Sequence, residues 1–219
     1  MTTIPSPETS IRTRDPERTK RQILEAALSE FAKKGYDGAK VHQIAKSAGC
    51  NARLIYHYFE NKERLYAAAL QRIYADLRAR ENDLHLDTLP PVQAIARLAE
   101  TTFDFFDQNS AFLAITRNEN LLGGRFIAQM PEIQMMSAPF LDKVGDALSR
   151  GQQSGVFKSG IDPLQLYVSI VSLSAHHINA AHTLSATFGT DLACQDWRQE
   201  RRQHVLDMIS QAVRNPESP

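Results

Sequence analysis

Cysteine is scarce in this sequence, which has only Cys50 and Cys194 among 219 residues. Two cysteines so far apart do not make the disulfide framework of a small secreted protein, so we expect a reducing compartment. No apolar run approaches the roughly 20 residues that a membrane-spanning helix needs. The first 20 residues also lack the apolar core of a signal peptide. The sequence therefore predicts a cytoplasmic protein with no membrane partner.

Common motifs of enzymes and metal sites are missing as well. The sequence contains no Walker loop, no dinucleotide fingerprint and no GxSxG. His176, His177 and His182, with Cys194 beyond them, do not have the spacing of a zinc site. We therefore predict no catalytic residue, no metal and no cofactor.

Charge is balanced overall but unevenly distributed. The chain has 25 Lys and Arg against 25 Asp and Glu, which excludes a uniformly basic nucleic-acid-binding protein. Residues 1–80 carry 15 basic and 9 acidic residues, and the remainder carries 10 and 16. A basic first third favours a nucleic-acid-binding end joined to a part that does not touch nucleic acid.

The basic excess begins in the first 21 residues. Residues 1–14 are polar, and we expect them to be a disordered basic arm. The cluster that continues into the first helix consists of Arg12, Arg14, Arg18, Lys20 and Arg21. Such an arm can follow phosphates or enter the minor groove, although the solvated start of a helix is an equally good interpretation.

The segment from Val41 to Phe59 predicts two short helices joined by a tight turn. Gly49 is expected to end the first helix, because glycine tolerates a left-handed conformation. Asn51 is expected to cap the second helix through its side-chain oxygen. Ile55 and Phe59 lie four residues apart on the inner side of that helix.

The outer side of the second helix has the chemistry of a helix that reads DNA. It carries a small residue, a cation, a phenol and an imidazole, at Ala52, Arg53, Tyr56 and His57. These groups can approach a major groove closely and bond base edges and phosphates. A helix-turn-helix corner is also a packing unit in all-helical proteins, so the spacing alone leaves both interpretations open.

The segment IAKSAGCNARLIYHYFENKERLY resembles the DNA-binding domain of the TetR family of bacterial repressors, over about residues 17–70. The family pattern reads roughly IA..AGVS...LY.HF..K..L, and the matching residues are Ile44, Ala45, Ala48, Gly49, Ile55, Tyr56, Tyr58, Phe59, Lys62 and Leu65. Arg53 and Leu54 stand where Gly or Thr is common, so the operator cannot be read from the pattern. The resemblance implies a homodimer that uses its last two helices as the interface.

The predicted DNA-binding residues surround this second helix and the start of the next one. They are Lys40, Asn51, Ala52, Arg53, Tyr56, His57, Tyr58 and Lys62. Asn61 is expected to cap a long helix to about Arg80, whose first-turn amides can seat a DNA phosphate beside Lys62.

The whole pattern predicts an all-α protein of about nine helices. We expect a helix-turn-helix domain over residues 15–62, a linking helix over 62–80, and a ligand-binding and dimerisation domain over 81–219. Two C-terminal helices, Asp162–Leu184 and Trp197–Val213, are candidates for a four-helix interface with a second copy. The first of these is apolar around almost its whole circumference, which is typical of a buried or shared helix.

Polar residues inside the apolar C-terminal helices predict a small-molecule site with aromatic walls. The candidates are Tyr74, Phe103, Phe106, Arg117, Asn120, Phe140, Ser172 and His176. Glu119-Asn120-Leu121 and Ile161-Asp162-Pro163 also resemble, faintly, the uracil-responsive branch of the family, but most polar positions between them differ. The alternatives are a helical enzyme or lipid-binding bundle without DNA affinity, and a ligand-independent activator without a pocket.

Overall fold

The computed structural model describes residues 15–216, in which the chain folds into ten α-helices and forms no β-sheet. The helices are α1 Pro16–Gly38, α2 Val41–Ser47, α3 Ala52–Phe59, α4 Lys62–Asn82, α5 Pro91–Gln108, α6 Ser110–Leu121, α7 Pro131–Gln153, α8 Pro163–Asn179, α9 Ala181–Phe188 and α10 Gln195–Val213. The all-α prediction is confirmed. The expected disordered arm, residues 1–14, lies outside the described residues.

Helix α1 begins at a side-chain cap and is interrupted near its other end by a glycine. The Asp15 carboxylate accepts hydrogen bonds from the backbone N–H groups of Glu17 and Arg18, at 3.0 and 3.3 Å. Such a cap satisfies amides that have no partner inside the helix. Near its other end α1 is kinked at Gly35, whose φ of 68° is left-handed. The kink separates the last turn of α1 and directs the chain toward α2.

One apolar core joins the helix-turn-helix to the helices that follow it. Ile23 and Phe31 of α1 and Ile55 of α3 pack in the same buried cluster as Tyr66 of α4 and Phe112 of α6. This core crosses the boundary that we expected near the linking helix. The division into domains stays a prediction, and mechanical continuity between α1, α4 and α6 follows directly from the packing.

A second core holds the C-terminal helices together. Ile95 of α5, Phe140 of α7 and Ile170 of α8 are buried with Val205 and Ile209 of α10. Together these helices form a bundle that leaves one face of α8 and α10 uncovered.

The predicted helix over residues 162–184 is in fact two helices. The α-helical conformation is interrupted at Ala180, where φ is −108° and ψ is 9°, between α8 and α9. Continuous apolar character did not reveal this break, since no Gly or Pro marks it. The extra helix brings the count to ten instead of about nine.

Candidate DNA-binding surface and ligand site

Helix α3 is held rigidly from its inner side. Ile55 and Phe59 are 1% and 5% exposed, which anchors the helix in the first core. The side-chain oxygen of Asn51 accepts a hydrogen bond from the Leu54 backbone N–H at 2.9 Å, and Gly49 has a φ of 64°. These observations confirm the predicted turn, cap and inner face.

The outer side of α3 presents side chains that are free to bind another molecule. Arg53, Tyr56 and His57 are exposed, and Ala52 is half-buried between them and the core. No side-chain hydrogen bond or ion pair occupies Arg53 or Tyr56 within residues 15–216. A fixed helix with unoccupied polar side chains is suited to reading the edges of base pairs.

Lys62 begins α4, but its ammonium group is already partly engaged. It donates a hydrogen bond to the Asp37 carbonyl oxygen at 3.3 Å and lies 4.8 Å from the centre of the Tyr36 ring. The lysine therefore braces the end of α1 against α4. Asn61 caps α4 by accepting from the Arg64 N–H at 2.9 Å, as expected.

Two other predicted DNA-binding residues flank this region. Lys40 is exposed at the start of α2, and Tyr58 is half-buried with its ring 5.3 Å from that of His57. The DNA-binding roles of all eight residues stay predictions.

The eight predicted ligand-binding residues are not arranged as we expected. Their aromatic members are buried or half-buried in two different cores, with Tyr74 and Phe106 in the first and Phe103 and Phe140 in the second. The polar members were expected to be buried, and this was wrong, because Arg117, Asn120, Ser172 and His176 are all exposed. Whether they bind a ligand stays a prediction.

The polar side chains that are buried in α8 lie at neighbouring positions. Ser174 is fully buried and His177 is 3% exposed, whereas Ser172 and His176 face outward. Each residue turns an α-helix by about 100°, so an error of one or two positions exchanges core for solvent. Among apolar neighbours on all sides, the sequence contained no signal that distinguished these positions.

A buried charged cluster links α4 to α8. Arg78 pairs with Glu81 at 2.7 Å, and the Tyr167 hydroxyl donates to the Glu81 carboxylate at 2.7 Å. The Arg78 guanidinium also lies 5.0 Å from the centre of the Phe140 ring. Burial raises the pKa of Glu81 to about 7, although the charge of Arg78 opposes that shift. The sequence did not reveal this cluster, because Tyr167 lies 86 residues from Glu81.

A second buried carboxylate lies at the junction of α6 with α1 and α4. Glu119 accepts hydrogen bonds from the backbone N–H groups of Phe126 and Ile127, at 2.6 and 3.1 Å. The Phe126 ring packs 4.8 Å from that of Tyr66 on α4. Burial, and then the nearby Glu119 charge, raise the pKa of Tyr66.

The neighbouring Asn118 continues this junction to α1. Its amide donates to the Phe31 carbonyl oxygen at 3.1 Å. The polar segment 116–120 therefore joins the C-terminal bundle to the helices that support α3.

Three cavities border these helices. A groove of about 630 Å³ lies between α4 and the segment before α7, and includes Glu63, Arg64 and Arg125. Another of about 610 Å³ lies between α1, α6, α8 and α9, and Arg117 lines it. A smaller pocket of about 260 Å³ is lined by His177.

Two other kinds of site are absent from residues 15–216. No group of three or more His, Cys, Asp or Glu residues is placed to hold a metal ion. None of the helices in that part of the chain has the length and apolar character required to cross a membrane.

The chain matches two protein-family models, one for each part of the sequence. Residues 23–69 match "Bacterial regulatory proteins, tetR family", and residues 91–209 match "Tetracyclin repressor-like, C-terminal domain". The second match alone spans more than half of the chain.

Two related transcriptional regulators are similar to this chain along nearly their whole length. The transcriptional repressor NicS of Pseudomonas putida is 30% identical over 207 residues, covering 94% of this chain and 98% of NicS. The transcriptional regulator RutR of Escherichia coli is 27% identical, covering 94% and 95%.

A solved structure with the same fold is AibR in complex with isovaleryl coenzyme A and operator DNA. It aligns with a TM-score of 0.68 and 18% identity, covering 87% of this chain and 97% of that one. At that identity the alignment supports a shared fold and nothing finer.

Proposed function

Because the chain belongs to the TetR family of bacterial regulatory proteins, we propose that it is a homodimeric repressor that a small molecule releases from a palindromic operator. The observation that carries this proposal is the outer side of α3. Arg53, Tyr56 and His57 are exposed on a helix whose inner side is anchored by Ile55 and Phe59. The two α3 helices of a dimer would enter successive major grooves, about one helical turn apart.

Helix α4 would contribute a contact that does not depend on base sequence. Its first-turn amides are not satisfied within the helix, and the Asn61 cap occupies that of Arg64. The remaining amides can bind a DNA phosphate, helped by the helix dipole. Lys62 lies beside them and keeps protons available after its bond to Asp37.

The uncovered face of α8 and α10 supports dimerisation. Leu164 and Val168 are 52% and 50% exposed and lie one turn apart on α8, and Met208 of α10 is 41% exposed. Apolar side chains in such a row favour packing against the same face of a second copy. A four-helix interface would then set the distance between the two α3 helices.

Release from DNA would follow from a shift between two arrangements of the dimer. Asn118 bonds α6 directly to α1, and Glu119 holds Phe126, whose ring packs against Tyr66 of α4. A ligand bound in the C-terminal bundle can therefore bias the position of α3. It can do so only to the extent that it binds one arrangement more tightly than the other. The repressor would act in the cytoplasm, where its operator is.

Selection of bound sequences from random duplex DNA, at two salt concentrations, tests the DNA-binding part of this proposal. We expect a palindromic site whose affinity falls as salt rises, because phosphate contacts release counterions. The double variant Arg53→Ala/Tyr56→Ala is the control, and it should enrich no such site. Failure of the unmodified protein to retain any duplex at low salt would contradict the proposal.

A further inference from the structure

The small pocket beside His177 has the features of a built binding site. It lies where the end of α5 meets α8, α9 and the start of α10, and its volume is about 260 Å³. Ile178, Ala181 and Leu192 supply an apolar side, and Asp107, His177 and Arg198 supply polar groups. Pockets with a mainly apolar wall and a few converging polar groups are the usual form of small-molecule sites.

His177 is buried in this wall without a satisfactory hydrogen-bond partner. Its ring stacks on Phe103 at 5.1 Å with an angle of 12° between the planes. The side chain is 3% exposed, and neither ring nitrogen has a partner at full hydrogen-bonding geometry within residues 15–216, although the Leu173 carbonyl lies near the ring. An unsatisfied buried polar group costs about 1–3 kcal/mol. A ligand atom that accepted a bond from this ring would recover part of that cost.

The charges around the ring leave an excess of positive charge. Arg198 and Asp107 form a pair at 2.7 Å and neutralise each other. Arg201 donates to the Leu173 carbonyl oxygen at 3.2 Å but has no acidic partner in the described part of the chain. The surroundings of His177 therefore complement an anion.

The protonation state of His177 is consistent with a role as a neutral donor. Burial lowers its pKa to about 4, and the positive charge of Arg201 contributes in the same direction. Asp107 and the Leu173 carbonyl raise it to a smaller extent, and Arg198 lowers it. At neutral pH the ring carries one N–H and one unprotonated nitrogen.

We propose that this pocket binds a small organic carboxylate. One carboxylate oxygen would accept a hydrogen bond from the His177 ring and the other from Arg198, while a short apolar chain packs against Ile178, Ala181 and Leu192. The pocket is smaller than the roughly 300–1,000 Å³ of ordinary ligand pockets, so it fits a molecule of few heavy atoms. Binding of the carboxylate does not depend on the proposed function. Only the further step, in which the carboxylate releases the protein from an operator, rests on the proposed function.

The single tryptophan of the chain provides a direct measurement. The centres of the Trp197 and His177 rings are 5.8 Å apart. The full-length protein is titrated with acetate, butyrate and hexanoate at constant ionic strength, and with the three corresponding primary amides, while Trp197 emission is recorded. We expect a saturable change with at least one carboxylate, at a Kd of about 1 mM or below, and at least about tenfold weaker binding of its amide.

Three variants locate the binding. His177→Phe keeps a ring against Phe103 but removes both nitrogens, and should weaken carboxylate binding at least about tenfold. Arg201→Gln removes the unpaired charge and should weaken it as well. Arg97→Gln, on the exposed side of α5, is the matched control and should bind as the unmodified protein does. Far-UV circular dichroism checks that each variant folds, and Arg201→Gln tests the site even if His177→Phe does not fold.

Several outcomes would overturn the assignment. They are the absence of saturation by any of the three carboxylates below about 10 mM, equal binding of acids and amides, and unchanged binding by the folded variants. A carboxylate that binds but leaves operator affinity unchanged would support the site and contradict its use as an effector site. If the selection from random duplex DNA yielded no operator and the protein retained no duplex, the proposed function would be contradicted, and the result on carboxylate binding would still stand.

Discussion

Tyr56 is the α3 residue whose substitution should weaken DNA recognition with the least effect on folding. Its side chain is 47% exposed and makes no hydrogen bond or ring contact with the rest of residues 15–216. Tyr56→Ala should therefore change the free energy of unfolding by less than about 0.5 kcal/mol. Its operator affinity should fall by about 1–3 kcal/mol, the cost of losing a specific base contact. Urea unfolding and operator titration measure the two quantities.

Met135→Ala is the matched control for this prediction, since Met135 is 74% exposed on α7 and lies outside the helix-turn-helix. It should alter neither quantity. A Tyr56→Ala protein that lost the same affinity for operator and for random duplex would show that Tyr56 contacts the backbone instead of a base.

Lys62 is expected to act on every DNA sequence alike. Removing one phosphate contact should weaken binding to operator and random duplex equally, and flatten the slope of log affinity against log salt by about 1. Because Lys62 also bonds Asp37 and lies against Tyr36, Lys62→Ala should cost a little stability too. Lys62→Met keeps most of the contact with the ring and removes only the charge, so the two variants should share the flattened slope. A salt slope equal to that of the unmodified protein would contradict the phosphate contact.

At the scale of elements, α3 and α8 show what sequence alone could decide. Ile55 and Phe59 lie four residues apart, which places both on one face of a helix, and this spacing gave the orientation of α3 correctly. Helix α8 is apolar on several sides, and its periodicity does not distinguish Ser172 and His176 from the buried Ser174 and His177. Only packing against α5 and α10 sets that orientation. The exposed and buried sides of α3 were therefore predictable from the sequence, and those of α8 were not.

Substitution of Glu119 tests the hydrogen bonds that hold Phe126 in place against Tyr66 of α4. Glu119→Leu leaves the buried N–H of Phe126 and that of Ile127 without an acceptor. It should lower the free energy of unfolding by about 2–4 kcal/mol, given about 1–3 kcal/mol for each unsatisfied group. Glu119→Gln keeps one acceptor oxygen and should lose less than half as much. Urea unfolding compares the two, and equal losses would mean that the hydrogen bonds are not what Glu119 contributes.

For the whole molecule, the buried carboxylate of Glu81 makes stability depend on pH. The folded protein raises its pKa from 4.5 to about 7, so the folded state holds a proton that the unfolded state releases. This stabilisation is complete below pH 4.5 and is lost as the pH rises to about 7. Glu81→Gln stays neutral and lacks the dependence. From pH 4.5 to 7.5 the unmodified protein should lose up to about 3 kcal/mol relative to the variant.

Urea unfolding of both proteins at each pH measures that difference. The pKa of His177 is lowered to about 4, which makes stability rise with pH between about 4 and 6.5. Both proteins contain His177, so its effect cancels in the comparison. A difference that stayed constant with pH would mean that Arg78 keeps Glu81 ionised throughout.

The assembly of two chains is the largest-scale property that the proposed function requires. Val168 lies in the exposed apolar row of α8, and a symmetric interface would bring it near its own copy in the second chain. Val168→Glu would place like charges together in an apolar contact, which is costly. It should yield monomers in sedimentation experiments, while the single chain, in which Val168 is 50% exposed, keeps its fold. Met135→Glu introduces the same charge at an exposed position of α7, outside the two proposed interface helices, and should remain dimeric. Operator affinity should fall as dimerisation is lost, because each monomer then binds one half-site without help from the other. A Val168→Glu protein that stayed dimeric and bound the operator normally would place the interface on another face of the molecule.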